Sequence, residues 1–482
     1  MQTRRQRSVT ARRNFLLQGM TLAGAAAFEG VRRSGAAEPA KGPESAQAAP
    51  STATTAPASS ISVRSVDRVA GSPISYAYAL KAGNWVFLNG HEAYDFERGP
   101  APEVEGPTGN PLSGRPPLRR EADFILRRMR TILKEFGTDL PNAVRVDQYY
   151  TKGPAVSAYH LARFAEFGGY IPPSTSIIME RCFTSRTNIH TSMIAIVPSP
   201  EWTLDKITLP GQPISASGYN PAVVTNDFVF VAGNMALRTD GTLDPAAAVR
   251  TTANWGGQTA FRRQVHYVIK ERLEPSLKAS GSALEHSLKA QAYIRGVENF
   301  PDFMDVWSQY FREIPCAITL VPAKDYASTE GMIEINLIAL KDGARRRKQV
   351  VETGIPAVAS YGPCVRAGEL VFPSGMMAVG GDGVVPGRDY AAAFDALGLS
   401  GQLQGALLLS YAETVCKAVG VPVSNIVRAQ YFATDIRDFA GIAAAWSDRY
   451  GKQPHPFSCV QVLAPLPPMG ASVVADFWIY AA

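Results

Sequence analysis

Two ionisable side chains stand inside apolar, strand-like runs where a charge is costly. Glu334 lies between Ile333 and Ile335, with Leu337 and Ile338 close behind, and His190 is flanked by Ile189 and Thr191. Strand alternation turns Glu334 to the face opposite Ile333 and Ile335, which is either a wet face or a pocket. Partial burial there disfavours the ionised carboxyl, so its pKa should rise, the direction a general acid or base near neutral pH needs. His190 is open to two readings, a structural histidine with satisfied nitrogens or a catalytic one. Tyr76, Tyr219 and Tyr361 each precede a glycine by fourteen residues (Gly90, Gly233, Gly375). A tyrosine opening a strand either anchors backbone through its hydroxyl or closes a ligand cleft. After Gly90 comes His91-Glu92, a polar pair absent after the other two glycines and read as solvated loop residues.

These residues need a scaffold, and the chain supplies one by repetition. The runs ending at Gly90, Gly233 and Gly375 lie 143 and 142 residues apart. An amphipathic stretch follows each and ends at Gly137, Gly281 or Gly420, which suits a left-handed helix C-cap. Next come the strand-like segments 144–150, 288–294 and 426–432, and then a second helix carrying Phe164, Trp307 or Trp446 as its core marker. A Pro-containing turn and two further strand-like runs close each repeat. The order is β-β-α-β-α-β-β, an α+β pattern with helices on one face of a mixed sheet.

Composition narrows the function classes. The 482 residues are 46% hydrophobic and 19% charged, the balance of a globular protein of several domains. The net charge of +6 is carried wholly by residues 1–33, and the remainder has 41 basic and 41 acidic residues. That neutral body lacks the electrostatic footprint of a nucleic-acid binder. Arg12-Arg13-Asn14-Phe15-Leu16, an uncharged run to Phe28 and small residues at 35–37 resemble a twin-arginine export signal. We therefore expect a signal peptide over 1–37, a disordered linker over 38–60, and a periplasmic or secreted protein with no membrane anchor after signal removal. Five scattered cysteines form neither a disulfide framework nor a metal site, although the count leaves room for one bridge. There is no phosphate-cradling loop with Lys-Ser/Thr, no His-Glu-x-x-His and no Cys-x-x-Cys, so no cofactor and no metal are expected. The run Arg345-Arg346-Arg347-Lys348 between the second and third repeats reads as a solvated linker cluster.

The pattern of Tyr-x-x-Ala/Cys-Val/Leu, an apolar strand and a small residue before Gly resembles the signature of the Rid (YjgF-type) family. The last strand, clearest at Ile333-Glu334-Ile335-Asn336-Leu337-Ile338-Ala339, resembles that family too. The likeness covers nearly all of 62–482 as three copies: 61–200, 201–345 and 346–482. It implies chorismate-mutase-like domains with pockets in the clefts between them, joined here into a monomeric intramolecular pseudo-trimer. In deaminating members an arginine grips the substrate carboxylate. That position here is Ser174, Ala317 or Phe457. The resemblance places the pocket carboxylate at Glu334, with His190 and Val474 as its counterparts. It places small polar pocket residues at Ser176, Thr319 and Cys459, the tyrosines at Tyr76, Tyr219 and Tyr361, and the residue before the strand-end glycine at Asn89 and Ser374. Cys459 is otherwise read as a small buried hydrophobe.

From this we expect a Rid-like enzyme acting on a small organic molecule by water activation or proton transfer, through a hydrolytic deamination-like or cofactor-free lyase step. Orthodox 2-iminoacid deamination is not expected without the arginine, and the preferred substrate should lack an essential carboxylate. Glu334, aided by Thr319, and His190 are the catalytic candidates. The alternative is a protein that binds or scavenges a small ligand without chemistry.

Overall fold

A computed structural model describes residues 61–482 except 67, 73, 108–112, 210–216, 250–257, 384, 387–398 and 469. The signal-like segment and its linker lie outside the described residues. Residues 58–482 cluster as one compact unit.

Two six-stranded sheets and one seven-stranded sheet share one order of six strands. The first contains β1 (Ile61–Val66), β2 (Tyr76–Ala82), β3 (Trp85–His91), β4 (Ala143–Tyr150), β5 (Ser174–Ile178) and β6 (Ile189–Ile196), ordered β1-β2-β3-β6-β4-β5. The second runs from β7 (Asp205–Ile207), β8 (Ala222–Thr225) and β9 (Phe228–Asn234) to β10 (Ser287–Arg295), β11 (Ala317–Ala323) and β12 (Ile333–Leu340). The third has β13 (Lys348–Val351), β14 (Cys364–Ala367), β15 (Leu370–Phe372), β16 (Ile426–Ala433), β17 (Phe457–Gln461) and β18 (Val473–Tyr480), with Met376–Met377 added onto β18. In each sheet the last pair (β4–β5, β10–β11, β16–β17) is parallel and the others are antiparallel. The leading edge strands β1, β7 and β13 extend the expected order. Being short and partly exposed, they carry little hydrophobic signal.

Helices cover one face of each sheet. In the first, α1 (Pro117–Glu135) buries Ala122, Ile125, Leu126, Met129, Ile132 and Leu133, an apolar stripe at three- and four-residue spacing. α2 (Gly153–Phe167) lies beside it. α3 (Ala260–Tyr267) continues through a π-helical segment into α4 (Glu274–Ala279), and α5 (Phe300–Phe311) accompanies them. α6 (Leu399–Ala418) and α7 (Asp438–Tyr450) pair in the third. The glycines after α1, α4 and α6 (Gly137, Gly281, Gly420) have φ of 80°, 63° and 76°, a conformation that a Cβ would strain.

The strands nearest the middle of each sheet are buried along their whole length, save Arg295 at the end of β10, because the face opposite the helices is also covered. There Trp85 and Phe87, Phe228 and Phe230, and Phe372 and Trp478 enter one core drawn from all three sheets. A buried polar network joins the same three. Asp147 is shared by Arg145 and Arg428, Gln291 Nε2 donates to Gln430 and Asp476, and Lys289 Nζ lies 2.9 Å from Asp476. The five cysteines are free and buried.

Two expectations about individual residues change. Trp307 and Trp446 are core residues, but Phe164 is 46% exposed and its neighbour Arg163 takes the buried place on α2. Arg346, read as a solvated linker residue, is instead held 3.0 Å from Asp227 and 2.7 Å from Glu369, one in a turn of each flanking sheet.

Candidate functional site

The parallel edge strand of each sheet faces the strand-end glycine of the next, which defines three clefts. Ser174–Ser176 of β5 meets Gly233, Tyr219 and Glu334. Ala317–Thr319 of β11 meets Gly375, Tyr361 and Ser374. Phe457–Cys459 of β17 meets Gly90, Tyr76 and His190.

The first cleft opens into a cavity of about 680 Å³ lined by Ser174, Ser176, Tyr219, Gly233, His160 and Glu334, among others. Glu334 is held by a single backbone donor, Ser176 N–H, at 3.3 Å. Burial pushes it up to about 8, so it is protonated at neutral pH. Gly233 makes the carboxyl's place, since a Cβ there would lie 2.0 Å from Glu334 Oε1. Tyr219 donates to Gly233 O at 3.4 Å. Behind the serines lies Arg163, wholly buried, donating to Ser174 Oγ at 3.1 Å, Gln148 Oε1 at 3.3 Å and Ser217 O at 2.6 Å. Its Nε has no partner, and among the described residues no carboxylate pairs with it. Burial lowers its pKa, the mark of a guanidinium without a compensating charge. His160 on the same wall is pushed down to about 3 by burial and is neutral.

The second cleft is fastened by direct contacts. Ser374 Oγ donates to Pro363 O at 2.7 Å and accepts from Ile318 N–H at 2.9 Å, and Tyr361 packs on Gly375 and Phe300. Thr319, expected beside Glu334, accepts instead from Lys289 Nζ at 2.8 Å and lies against Gly375. The reason is geometric: the edge strand serves the following sheet's cleft, so Ser176 is the small polar residue next to Glu334. The hydroxyl of Tyr361 is buried without a partner.

The third cleft is filled. Phe457, at the arginine position, packs at a tilt against Tyr76 at 4.6 Å, Phe183 at 5.1 Å and Phe439 at 4.5 Å between ring centroids. Tyr76 donates to Gly90 O at 2.8 Å. His190 Nδ1 lies 2.7 Å from Glu92 Oε1, and its Nε2 lies 2.7 Å from Ser458 Oγ. Glu92, read as a solvated loop residue, is wholly buried and accepts from Phe183 N–H, Thr184 N–H and the Thr184 and Thr187 hydroxyls. Burial would raise this carboxyl, but the bonds from His190, Thr187 and Thr184 outweigh it and hold Glu92 below its ordinary value. His91 is also buried, which drives its pKa far down. Asn89 donates to Ala77 O at 3.1 Å, a backbone-fastening role, and burial raises the Cys459 thiol.

Sequence reasoning missed Arg163, Ser458 and the burial of Glu92. Arg163 had no signal, since an arginine on an amphipathic helix is solvated by default. For Glu92 the only trace was its being peculiar to one repeat.

The model of the family described as Endoribonuclease L-PSP matches residues 211–341 and 352–473, two successive segments covering more than half the chain. The chain belongs to this family. The first sheet lies outside the matched segments but has the same strand order. A RutC family protein from Aquifex aeolicus is 23% identical over 140 residues, 28% of this chain and 98% of that protein. Among solved structures, yeast Mmf1 is 21% identical, covering 29% of this chain and all of its own, with a TM-score of 0.24. A chorismatase is 13% identical, covering 57% of this chain and 79% of its own, with a TM-score of 0.35.

Proposed function

We propose that this protein is an enzyme acting on a small organic anion in the cleft between the first and second sheets, with Glu334 as its general acid and base. One observation carries the reading: a carboxyl raised to about 8 on the wall of a 680 Å³ cavity, with a guanidinium buried behind the cavity's serines that no carboxylate among the described residues neutralises. A neutral Glu334 donates a proton or, once ionised, holds a water for attack on a C=N or amide-like carbon. A cofactor-free lyase step would use the same proton transfers. The expectation of a substrate without an essential carboxylate rested on the missing edge-strand arginine; in this reading the field of Arg163 favours a negative group near Ser174 and Ser217 instead. Endoribonuclease activity, the family's description, is not carried over, since the body beyond residue 33 has equal numbers of basic and acidic residues.

Three sheets of one order sharing a core support a monomeric pseudo-trimer, built from copies at 61–200, 201–345 and 346–482, and the Arg12-Arg13-Asn14-Phe15-Leu16 motif supports its export behind a twin-arginine signal. Light scattering giving the mass of one chain supports this assembly, and a stable trimer of whole chains refutes it.

The activity is tested with the purified protein and a panel of imines, enamines and amides bearing a carboxylate, read as ammonia or aldehyde release. Glu334→Gln is expected to cut turnover by about 10²-fold or more while ligand-induced thermal stabilisation persists. Full activity in Glu334→Gln refutes the role. Binding without turnover across the panel favours the scavenging alternative.

A further inference from the structure

The third cleft holds a hydrogen-bonded series that the proposed reaction does not use. With Glu92 kept ionised by its donors, His190 must place its proton on Nδ1 to satisfy that carboxylate at 2.7 Å. In the neutral imidazole with that proton Nε2 is a lone pair, and the Ser458 hydroxyl, 2.7 Å away, is placed to donate into it. Hydroxyl, imidazole and carboxylate therefore stand in the order, tautomer and spacing of an activated serine nucleophile. Ser192 Oγ, 3.4 Å from Ser458 Oγ, brings a second hydroxyl donor to the same point. A histidine needed only as structure could have been satisfied by backbone. Here its partners come from β17 of the third sheet and from the residue following β3 of the first, so the series exists only when the two sheets meet.

We propose that Ser458, His190 and Glu92 form a second, acyl-transferring site whose substrates are carboxylic esters of small apolar acids. In the acylation step Ser458 Oγ bonds to the acyl carbon as its proton passes to His190 Nε2. The bond from that carbon to the alcohol oxygen then breaks, and His190 returns the proton to the departing alkoxide. Water repeats the sequence, releasing the acid and restoring the serine. The apolar preference follows from the wall of Tyr76, Phe96, Phe439 and Phe457 around the cleft. Ser458 is 3% exposed, so the acyl group must displace something. Phe183 is the half-buried ring packed on this wall, and its own N–H is bonded to Glu92 at 2.7 Å, so the gate and the site share a residue.

The test is covalent labelling of the full chain by a fluorophosphonate, read by intact mass and peptide mapping, with p-nitrophenyl acetate hydrolysis measured in parallel. One adduct on Ser458 is expected, lost in Ser458→Ala and slowed at least tenfold in Glu92→Gln, which keeps the shape but removes the charge. Phe183→Ala should speed labelling severalfold. Wild-type protein with no adduct at Ser458 overturns the proposal, as does labelling that His190→Gln leaves unchanged. Glu334→Gln should label like wild type, so this result stands or falls apart from the reaction proposed for the other cleft.

Discussion

The cleft at Glu334 and the cleft at His190 occupy equivalent places in one scaffold and have opposite characters. In the first, Ser174 stands at the edge-strand position and leaves a cavity, and Glu334 has one hydrogen-bond donor. In the second, Phe457 fills that position with its ring, and His190 is held at both nitrogens. Volume explains the openness and hydrogen bonding explains the ionisation. A carboxyl with one donor is neutralised by burial, while Glu92, with donors on both oxygens, stays charged in a drier place. A tandem chain permits this divergence, because each cleft is built from different stretches of one sequence and can change alone.

The largest expected effect separates the two clefts by stability. His190→Ala deletes a buried ring and a hydrogen-bond partner of both Glu92 and Ser458, which should cost about 2–4 kcal/mol. Glu334→Gln, removing a neutral carboxyl with one weak bond, should change stability at pH 6 by less than about 1 kcal/mol. Urea unfolding with an unchanged slope would measure both. Equal losses would mean that the clefts are not energetically distinct.

A smaller effect concerns pH. Glu334 has a folded pKa raised to about 8 from an ordinary 4.5. The native state therefore binds more protons than the unfolded one across that window, and stability falls as pH rises through it. One such proton is worth about 1.4 kcal/mol per pH unit, so wild type should lose about 2 kcal/mol relative to Glu334→Gln between pH 5.5 and 7. Glu121, raised to about 7 by burial, contributes the same slope to both proteins and cancels in the difference. Parallel pH profiles would show that Glu334 is ionised in the fold.

Much of this was legible in the sequence, because it was written three times. Recurrence of Tyr, apolar run and Gly marked the hairpins, and the helix-ending glycines marked the helices. Glu334 was found because the family resemblance puts a pocket carboxylate at that position; its isoleucine neighbours alone left a wet face or a pocket open. What stayed hidden depended on which strands meet across clefts. Local sequence placed Thr319 near Glu334, whereas only the register between sheets shows that Ser176 is there. Arg163 and Phe164 are adjacent, and helix rotation alone decides which is buried. Ser458 is unremarkable until His190, 268 residues away in sequence, lies against it.

The smallest effect compares two glycines. A methyl group at Gly233 would meet Glu334 Oε1 at 2.0 Å, but that is the tip of a flexible side chain with a cavity beside it. Rotation into the cavity loses only the bond from Ser176, so Gly233→Ala should cost less than about 1 kcal/mol, while misplacing the acid and lowering turnover. At Gly90 the added carbon would meet His190 Cε1 at 2.4 Å and Nε2 at 2.6 Å, with the Ser458 backbone at 3.2 Å. The imidazole cannot turn without breaking both of its hydrogen bonds, and the backbone cannot recede from a packed core. Gly90→Ala should therefore cost about 1–3 kcal/mol, abolish fluorophosphonate labelling and leave turnover at Glu334 intact. If Gly233→Ala proves the more destabilising, the cleft at Glu334 is the tighter of the two and the assignment of open and closed clefts is reversed.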